Sequence, residues 1–231
     1  MSKIKYCLPI IKMKKAKVLS EIKKYPSYDF YEIWLDYLED LDEIFIEYLI
    51  SQHGKKLILL LRRNNLEIPK LSLQIRQKVM RLLANKKVFL DLDISQKEEL
   101  SFIKQEKLHI QLLCSYHNYK ETPGEKSLTD ILAIMKKQNP VIYKIATFCN
   151  DENDAICLMK LLVKLKSQDQ QYIILGMGKF GTITRIAGAI WGNAINFVPN
   201  TKKEASAPGQ LTKNETEIIY NILTNQTDNN L

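Results

Sequence analysis

Short apolar segments alternate with longer amphipathic segments along the whole chain of 231 residues. The short segments are rich in β-branched and aromatic residues and are bounded by turn-forming residues, as is typical of buried β-strands. The longer segments repeat their apolar residues with the spacing of an α-helix. Strands are predicted at residues 6–11, 29–35, 56–61, 88–92, 109–115, 141–147, 172–175 and 194–198. Between them run helical patterns such as residues 38–51, 73–84, 96–105, 128–137 and 153–166, with a last one at 214–223.

No linker, low-complexity stretch or change of composition interrupts this alternation, which predicts one continuous domain over residues 1–231 with a disordered tail after about residue 224. Eight strand and helix repeats in a chain of this length predict an α/β fold, a (β/α)8 TIM barrel, rather than an open doubly wound sheet. The active site of such a barrel lies at the carboxyl ends of the strands. Polar residues gather at those ends: Glu32, Asp36, Arg62, Arg63, Asp91, Asp93, His117, Lys144 and the loops near Gly178 and Ser206.

One apolar segment carries a charge that its neighbours do not explain. Lys144 lies in the middle of the strand predicted at 141–147, and lysine is rarely buried unless it is paired or functional. Burial disfavours the ammonium form and favours a neutral amine that can attack a carbonyl group. The alternative is a lysine near a strand end whose ammonium group reaches water.

The formal net charge of +8 is compatible with a nucleic-acid partner or with an anionic substrate. The lysines are scattered along the chain, which favours ordinary solvated helix faces over a nucleic-acid-binding module. No apolar run approaches the length of a membrane span or of a signal-peptide core. The four cysteines form no CxxC pair and are expected to be reduced core residues. We therefore expect a cytoplasmic protein with no membrane contact, no nucleic-acid partner and no metal site.

Three more segments place candidate functional groups at the carboxyl ends of predicted strands. His117 follows the apolar run 110–114 and would neighbour Lys144, since adjacent barrel strands are about 5 Å apart. An amine beside an imidazole suits Schiff-base chemistry with proton transfer at the adjacent carbon. The segment 176–185 combines a glycine-rich turn into a helix with Arg185, which could hold a carboxylate. The small residues at 205–210 suit a loop that lies over a ligand. Taken singly, His117 could be an ordinary loop histidine, and 205–210 an ordinary surface turn.

Together these segments resemble the type I 3-dehydroquinate dehydratases, the Schiff-base dehydratases of the shikimate pathway. Ser-Tyr-His-Asn-Tyr-Lys-Glu-Thr-Pro at 115–123 is similar to the family's S-x-H-D-[FY]-x-x-T-P, and Tyr-Lys-Ile-Ala at 143–146 is similar to its P-K-I-A. The segment 177–185 resembles M-G-x-x-G-x-x-[ST]-R, and Ala-Ser-Ala-Pro-Gly-Gln at 205–210 resembles the family's closing loop. The first half of the chain matches only in outline.

The resemblance implies a lyase of aromatic amino acid biosynthesis that converts 3-dehydroquinate to 3-dehydroshikimate and water. It implies that Lys144 forms the Schiff base, that His117 is the general acid and base, and that Glu67 orients His117. It also implies a set of substrate-binding residues: Glu32, Arg62, Arg185, Ser206 and Gln210. The lysine itself serves as the electron sink, so no metal or organic cofactor is implied. The expected partners are the small-molecule substrate and a second copy of the chain in a homodimer.

Two segments in the first half depart from the family pattern. Trp34 stands where the family motif E-W-R-x-D has a substrate-binding arginine. In the third strand, ungapped alignment selects Arg62, whereas the family's spacing from arginine to glutamate selects Arg63 and Glu67. The two glycines that follow this glutamate in the family are missing. The alternative hypothesis is therefore a divergent barrel of the same family with weak or no turnover.

Overall fold

A computed structural model describes residues 4–61, 71–168 and 170–224 of the chain. Strands and helices alternate throughout these residues. The strands are β1 (Tyr6–Ile10), β2 (Phe30–Trp34), β3 (Leu57–Leu60), β4 (Phe89–Asp93), β5 (Gln111–Asn118), β6 (Ile142–Phe148), β7 (Gln171–Met177) and β8 (Asn196–Phe197). The helices are α1 (Lys15–Lys24), α2 (Glu43–His53), α3 (Leu73–Leu83), α4 (Lys97–Gln105), α5 (Glu125–Lys136), α6 (Glu152–Lys166), α7 (Gly178–Trp191) and α8 (Lys213–Thr224).

The eight strands form one parallel sheet in the order β7-β6-β5-β4-β3-β2-β1-β8. Strands β1 to β6 each pair with the next strand along the chain, and β8 pairs with β1. The sheet therefore curves into a nearly closed barrel surrounded by the helices. This arrangement confirms the predicted (β/α)8 TIM barrel and all eight predicted strands.

An asparagine side chain bridges the seam between β7 and β8. Asn193 Oδ1 accepts a hydrogen bond from the backbone nitrogen of Ile174 at 2.9 Å, and its Nδ2 donates to the carbonyl oxygen of Ile174 at 3.1 Å. A backbone hydrogen bond from Ala194 N to Tyr172 O, at 2.8 Å, also crosses this seam. The side chain thus pairs with β7 as a strand residue would, although β8 itself has two residues.

The strands are buried on both faces, as in other parallel sheets. Outward-facing residues pack under the helices in a large core. Inward-facing residues form a smaller core inside the barrel: Cys7, Ile58, Leu113, Ile142, Ala146, Ile173, Leu175, Ile195 and Phe197. Side chains alternate across a strand, so the polar residues two positions from these apolar ones also face the barrel interior. These polar side chains therefore lie inside the barrel, next to the inner core.

Several predicted element boundaries were wrong, among them the end of β5 and the start of α2. Strand β5 continues to Asn118, so His117 lies within the strand and not in a loop after it. Helix α2 begins at Glu43 instead of residue 38, because Asp42 Oδ1 accepts a hydrogen bond from Phe45 N at 2.8 Å and caps the helix there.

Some predicted features cannot be compared with the structure. The tail after residue 224, together with Arg62, Arg63 and Glu67, lies outside the described residues. Within the described ranges, no helix is long and apolar enough to cross a membrane.

Candidate active site

Lys144 is buried inside the barrel and held by two carboxylates. The residues two positions before and after it belong to the inner core, so its side chain faces the same way. Its Nζ lies 2.8 Å from Asp91 Oδ2, 3.2 Å from Glu32 Oε1 and 4.1 Å from the centroid of the Phe197 ring. Adjacent carboxylates favour the ammonium form. Lys144 is therefore neither a lysine that reaches water nor the isolated, desolvated amine expected from the strand pattern.

His117 is held by Asp93 on the neighbouring strand. Asp93 Oδ2 accepts a hydrogen bond from the backbone nitrogen of His117 at 2.9 Å and lies 3.0 Å from its Nδ1. Burial would raise the pKa of Asp93, but hydrogen bonds from His117 and Ser95 outweigh burial and hold that pKa below its ordinary value. Because an ionised carboxylate only accepts hydrogen bonds, Nδ1 of His117 carries a hydrogen in this pair. In the neutral ring, Nε2 is then the basic nitrogen.

Glu32 is shared between Lys144 and Trp34. One carboxylate oxygen, Oε1, contacts Lys144 Nζ, and the other, Oε2, accepts a hydrogen bond from Trp34 Nε1 at 3.0 Å. Both Glu32 and Trp34 are buried. The tryptophan thus supplies a hydrogen-bond donor to Glu32 but no positive charge.

Arg185 brings a buried positive charge to the site from α7. Its side chain is almost entirely buried, and neither Nε nor Nη2 has a hydrogen-bond partner among the described residues. Burial lowers the pKa of Arg185 to about 10, so it stays protonated near neutral pH. A guanidinium in this condition is a receptor for an anion such as a carboxylate.

Two glycines set the position of α7 against β7. A Cβ atom on Gly176 would lie 2.6 Å from the Cα of Gly181, so both residues must be glycine for the helix to approach this closely. The Thr184 hydroxyl accepts a hydrogen bond from Gly176 N and donates one to Gly181 O, each at 2.7 Å. This tight turn fixes the first two turns of α7, from which Arg185 projects.

The 205–210 loop closes on itself and rests on the start of α7. Gln210 Oε1 accepts a hydrogen bond from Ser206 N at 2.7 Å, and Gln210 Nε2 donates to Ser206 Oγ at 3.1 Å. Gly178 N donates to Pro208 O at 3.1 Å. Gly209 has a φ of +78°, and a Cβ there would collide with the carbonyl oxygen of Gly178. The loop is thereby held beside the barrel mouth.

A single pocket at the carboxyl ends of the strands brings these groups together. It spans about 420 Å³, part of which is open to solvent, and its walls include Trp34, Tyr119 and Phe197. Six predicted site residues line it: Lys144, His117, Glu32, Arg185, Ser206 and Gln210. The other two, Arg62 and Glu67, lie outside the described residues. Over residues 4–61, 71–168 and 170–224, no three His, Cys, Asp or Glu side chains are grouped so as to hold a metal ion.

Asp91 and Asp93 stood among the predicted strand-end residues, but neither had a predicted role. In the structure Asp91 contacts Lys144 and also accepts a hydrogen bond from Ser115 Oγ at 2.6 Å, while Asp93 contacts His117. The signal was present in Phe89–Asp93, where two carboxylates occupy alternate positions of an apolar strand. Alternate positions face the same side, so these charges were as informative as Lys144 itself.

An amine, an imidazole and a buried guanidinium at the carboxyl end of a (β/α)8 barrel are the features of a TIM-barrel enzyme with a lysine-centred site. The family model for type I 3-dehydroquinase matches residues 6–227. The 3-dehydroquinate dehydratase of Coxiella burnetii is 30% identical over 211 residues, which cover 89% of this chain and 87% of that protein. The chain belongs to the type I 3-dehydroquinase family and is an enzyme of the hydro-lyase class.

Solved structures support the same fold. The 3-dehydroquinate dehydratase of Geobacillus kaustophilus superposes with a TM-score of 0.84 at 20% identity, covering 98% of this chain and 93% of that one. The type I 3-dehydroquinate dehydratase of Clostridium difficile, solved with covalently modified comenic acid, superposes with a TM-score of 0.80 at 22% identity, with coverage of 96% and 93%. At these identities the similarity establishes the barrel fold.

Proposed function

We propose that this protein is an active dehydratase that converts 3-dehydroquinate to 3-dehydroshikimate and water through a Schiff base on Lys144. One observation carries the proposal: Lys144, His117 and Arg185, whose Nε and Nη2 have no partner among the described residues, line the same pocket. A ketone that also bears a carboxylate matches these three groups. The family relationship supplies the particular ketone.

The substrate carboxylate would bind at Arg185, because a buried guanidinium without a partner gains most from an anion. Ser206 and Gln210 would close over the ligand from the loop that rests on α7. Glu32 would accept a hydrogen bond from a ring hydroxyl. Arg62, which the resemblance also assigns to substrate binding, stays a prediction.

Schiff-base formation requires Lys144 to lose its ammonium proton. Asp91 Oδ2, 2.8 Å from Nζ, is the nearer of the two carboxylates and is placed to accept it. The neutral amine then attacks the ring ketone, a C–N bond forms, and the ketone oxygen leaves as water with two of the ammonium hydrogens. The product is a protonated imine, which withdraws electrons from the neighbouring carbon.

His117 would carry out the proton transfers that follow. Its basic nitrogen removes a proton from the carbon beside the imine, and the C–H electron pair moves toward nitrogen to give an enamine. The enamine expels the hydroxyl group on the next carbon, which leaves as water with the proton held by His117. Hydrolysis of the imine consumes one water, so the overall reaction releases one water and restores Lys144.

The alternative, a barrel with weak or no turnover, is motivated by Trp34. The tryptophan cannot replace the charge of the family arginine, but it keeps a hydrogen bond to Glu32. Lys144 and His117, which carry the chemistry, are both present. Loss of a binding group usually costs less rate than loss of the nucleophile, so we favour an active enzyme.

Reduction with borohydride in the presence of 3-dehydroquinate, followed by peptide mass spectrometry, tests the Schiff base. We expect a reduced adduct on the peptide that contains Lys144, and none in Lys144→Met. Lys160→Met is a matched control, because Lys160 is exposed and pairs with Glu125 at the surface. An enzyme that turns over while Lys144 stays unmodified would overturn the mechanism.

An ultraviolet assay for the conjugated enone product separates the two hypotheses. Turnover comparable with that of ordinary dehydratases supports the active enzyme. An adduct without turnover supports the divergent barrel. A cytoplasmic location and a homodimer stay predictions, to be checked by fractionation and by light scattering.

A further inference from the structure

We propose that Asp93 is a positioning residue for His117, which it holds in one tautomer and one orientation for proton transfer. The inference deepens the proposed function and rests on it, because that function makes His117 the general acid and base. The family resemblance gives this orienting task to Glu67, which lies outside the described residues. The contacts of Asp93 with His117 assign at least part of this orienting task to Asp93.

Asp93 contacts His117 at both its backbone nitrogen and its imidazole ring. One oxygen, Oδ2, accepts from the backbone nitrogen of His117 at 2.9 Å and lies 3.0 Å from its Nδ1. Two contacts to one residue fix both the strand segment and the ring. Both side chains are buried, so water does not compete for these hydrogen bonds.

The Asp93 carboxylate is itself locked in place. Its second oxygen, Oδ1, accepts a hydrogen bond from Ser95 N at 3.0 Å, and the backbone nitrogen of Asp93 donates to Gln96 Oε1 at 2.9 Å. Gln96 is completely buried. The carboxylate therefore has little freedom to rotate away from His117.

Asp93 acts through His117, because it is absent from the described lining of the pocket. The other charged or titratable groups that line this pocket with His117 are Glu32, Tyr119, Lys144 and Arg185. When His117 takes a proton from the substrate, a fixed carboxylate behind the ring stabilises the imidazolium that forms. Asp93 thus supplies negative charge on the side of the ring away from the reacting atoms.

The test compares Asp93→Asn with Asp93→Glu, which keeps the carboxylate. Asp151→Asn is the matched control, because Asp151 also accepts a backbone hydrogen bond, from Asp154 N at 3.0 Å, but lies outside the pocket lining. Nitrogen NMR of the imidazole rings reports tautomer and titration directly. His53 and His109 serve as internal references for correct folding.

In the wild type we expect the neutral ring of His117 to carry its hydrogen on Nδ1. In Asp93→Asn we expect a mixture of tautomers and a titration midpoint at lower pH, because the neighbouring negative charge is gone. The kcat should fall about 100-fold, at the lower end of what general acid–base catalysis contributes, while KM stays near its wild-type value. Asp93→Glu should recover part of kcat and of the tautomer preference.

Two results would overturn the proposal: an unchanged His117 spectrum in Asp93→Asn, or a loss of kcat that Asp151→Asn reproduces. The NMR readout does not need turnover. If the wild type fails to dehydrate 3-dehydroquinate but Asp93→Asn still changes the His117 tautomer, the proposed function fails and the positioning role stands.

Discussion

Replacement of Arg185 by methionine should stabilise the protein while weakening its hold on a carboxylate. Arg185 is 9% exposed, and its Nε and Nη2 atoms have no hydrogen-bond partner among the described residues. Methionine has a comparable reach, is unbranched and carries no charge, so it can fill the same space. A charge that is unfavourable in the empty site and favourable with an anion bound is the signature of a ligand-binding residue.

The size of the effect follows from the pKa of Arg185, which burial lowers from its ordinary value to about 10. Each unit corresponds to about 1.4 kcal/mol, so the charged form is destabilised in the folded protein by roughly 3 kcal/mol. Some packing is lost with the guanidinium, and we expect a net gain of about 1–3 kcal/mol in the free energy of unfolding. In a chain of this length that gain raises Tm by roughly 2–12 °C.

The pH dependence has a definite sign. The folded-state pKa of Arg185 lies below the unfolded one, so the destabilisation is fully present below the folded value of about 10. It disappears as the pH rises from there toward the ordinary pKa of an arginine side chain, since the folded protein then releases the proton first. The stability difference between Arg185→Met and wild type should therefore be constant across the neutral range.

Urea unfolding followed by circular dichroism measures this difference. Arg81→Met is a suitable control, because Arg81 is exposed and pairs with Glu106 at 3.4 Å, and it should change stability by less than about 0.5 kcal/mol. Calorimetric titration with shikimate, which has the carboxylate but no ketone, should show affinity reduced about 10- to 100-fold in Arg185→Met. A destabilised variant, or one with unchanged affinity, would refute the reasoning that the buried charge of Arg185 lowers stability and binds an anion.

Three further substitutions probe the rest of the site. Lys144→Met should destabilise the protein by about 3–5 kcal/mol in urea unfolding, because Asp91 and Glu32 lose their buried counter-charge; a neutral effect would mean that water already reaches them. Trp34→Phe keeps the ring wall but removes the hydrogen bond to Glu32, and should raise KM roughly fivefold, as expected for about 1 kcal/mol, in steady-state kinetics. Gly209→Ala should loosen the 205–210 loop at a cost of roughly 1–3 kcal/mol, seen as faster limited proteolysis and a higher KM, since its φ is +78°.

The barrel could be predicted because its strands carry the clearest pattern in the sequence. Each strand is buried on both faces and appears as a mostly apolar run, and eight such runs between helices leave few alternative folds. Helix α1 escaped the prediction because its lysine-rich segment buries just Val18 and Ile22, too few for a visible apolar face. Strand β5 was cut short because polar residues at a barrel mouth resemble the start of a loop.

The pairing of charges could not be predicted, because it depends on contacts between distant strands. Lys144 meets Glu32, 112 residues earlier in the chain, and Asp91, 53 residues earlier. The strand pattern alone suggested an amine made neutral by burial, since nothing near it in sequence is acidic. The sheet order places β4 next to β5 and β5 next to β6, and in that arrangement the Asp91 carboxylate of β4 reaches the lysine.

Trp34 affects how the charges of Glu32 and Lys144 are balanced. An arginine at this position would place a second cation beside Glu32 and compete with Lys144 for its carboxylate. The neutral indole instead occupies one oxygen of Glu32 and leaves the other to Lys144. Arg185, by contrast, has no carboxylate partner among the described residues. The proposed function therefore predicts that negative charge on a substrate is drawn toward Arg185, while its ketone faces Lys144.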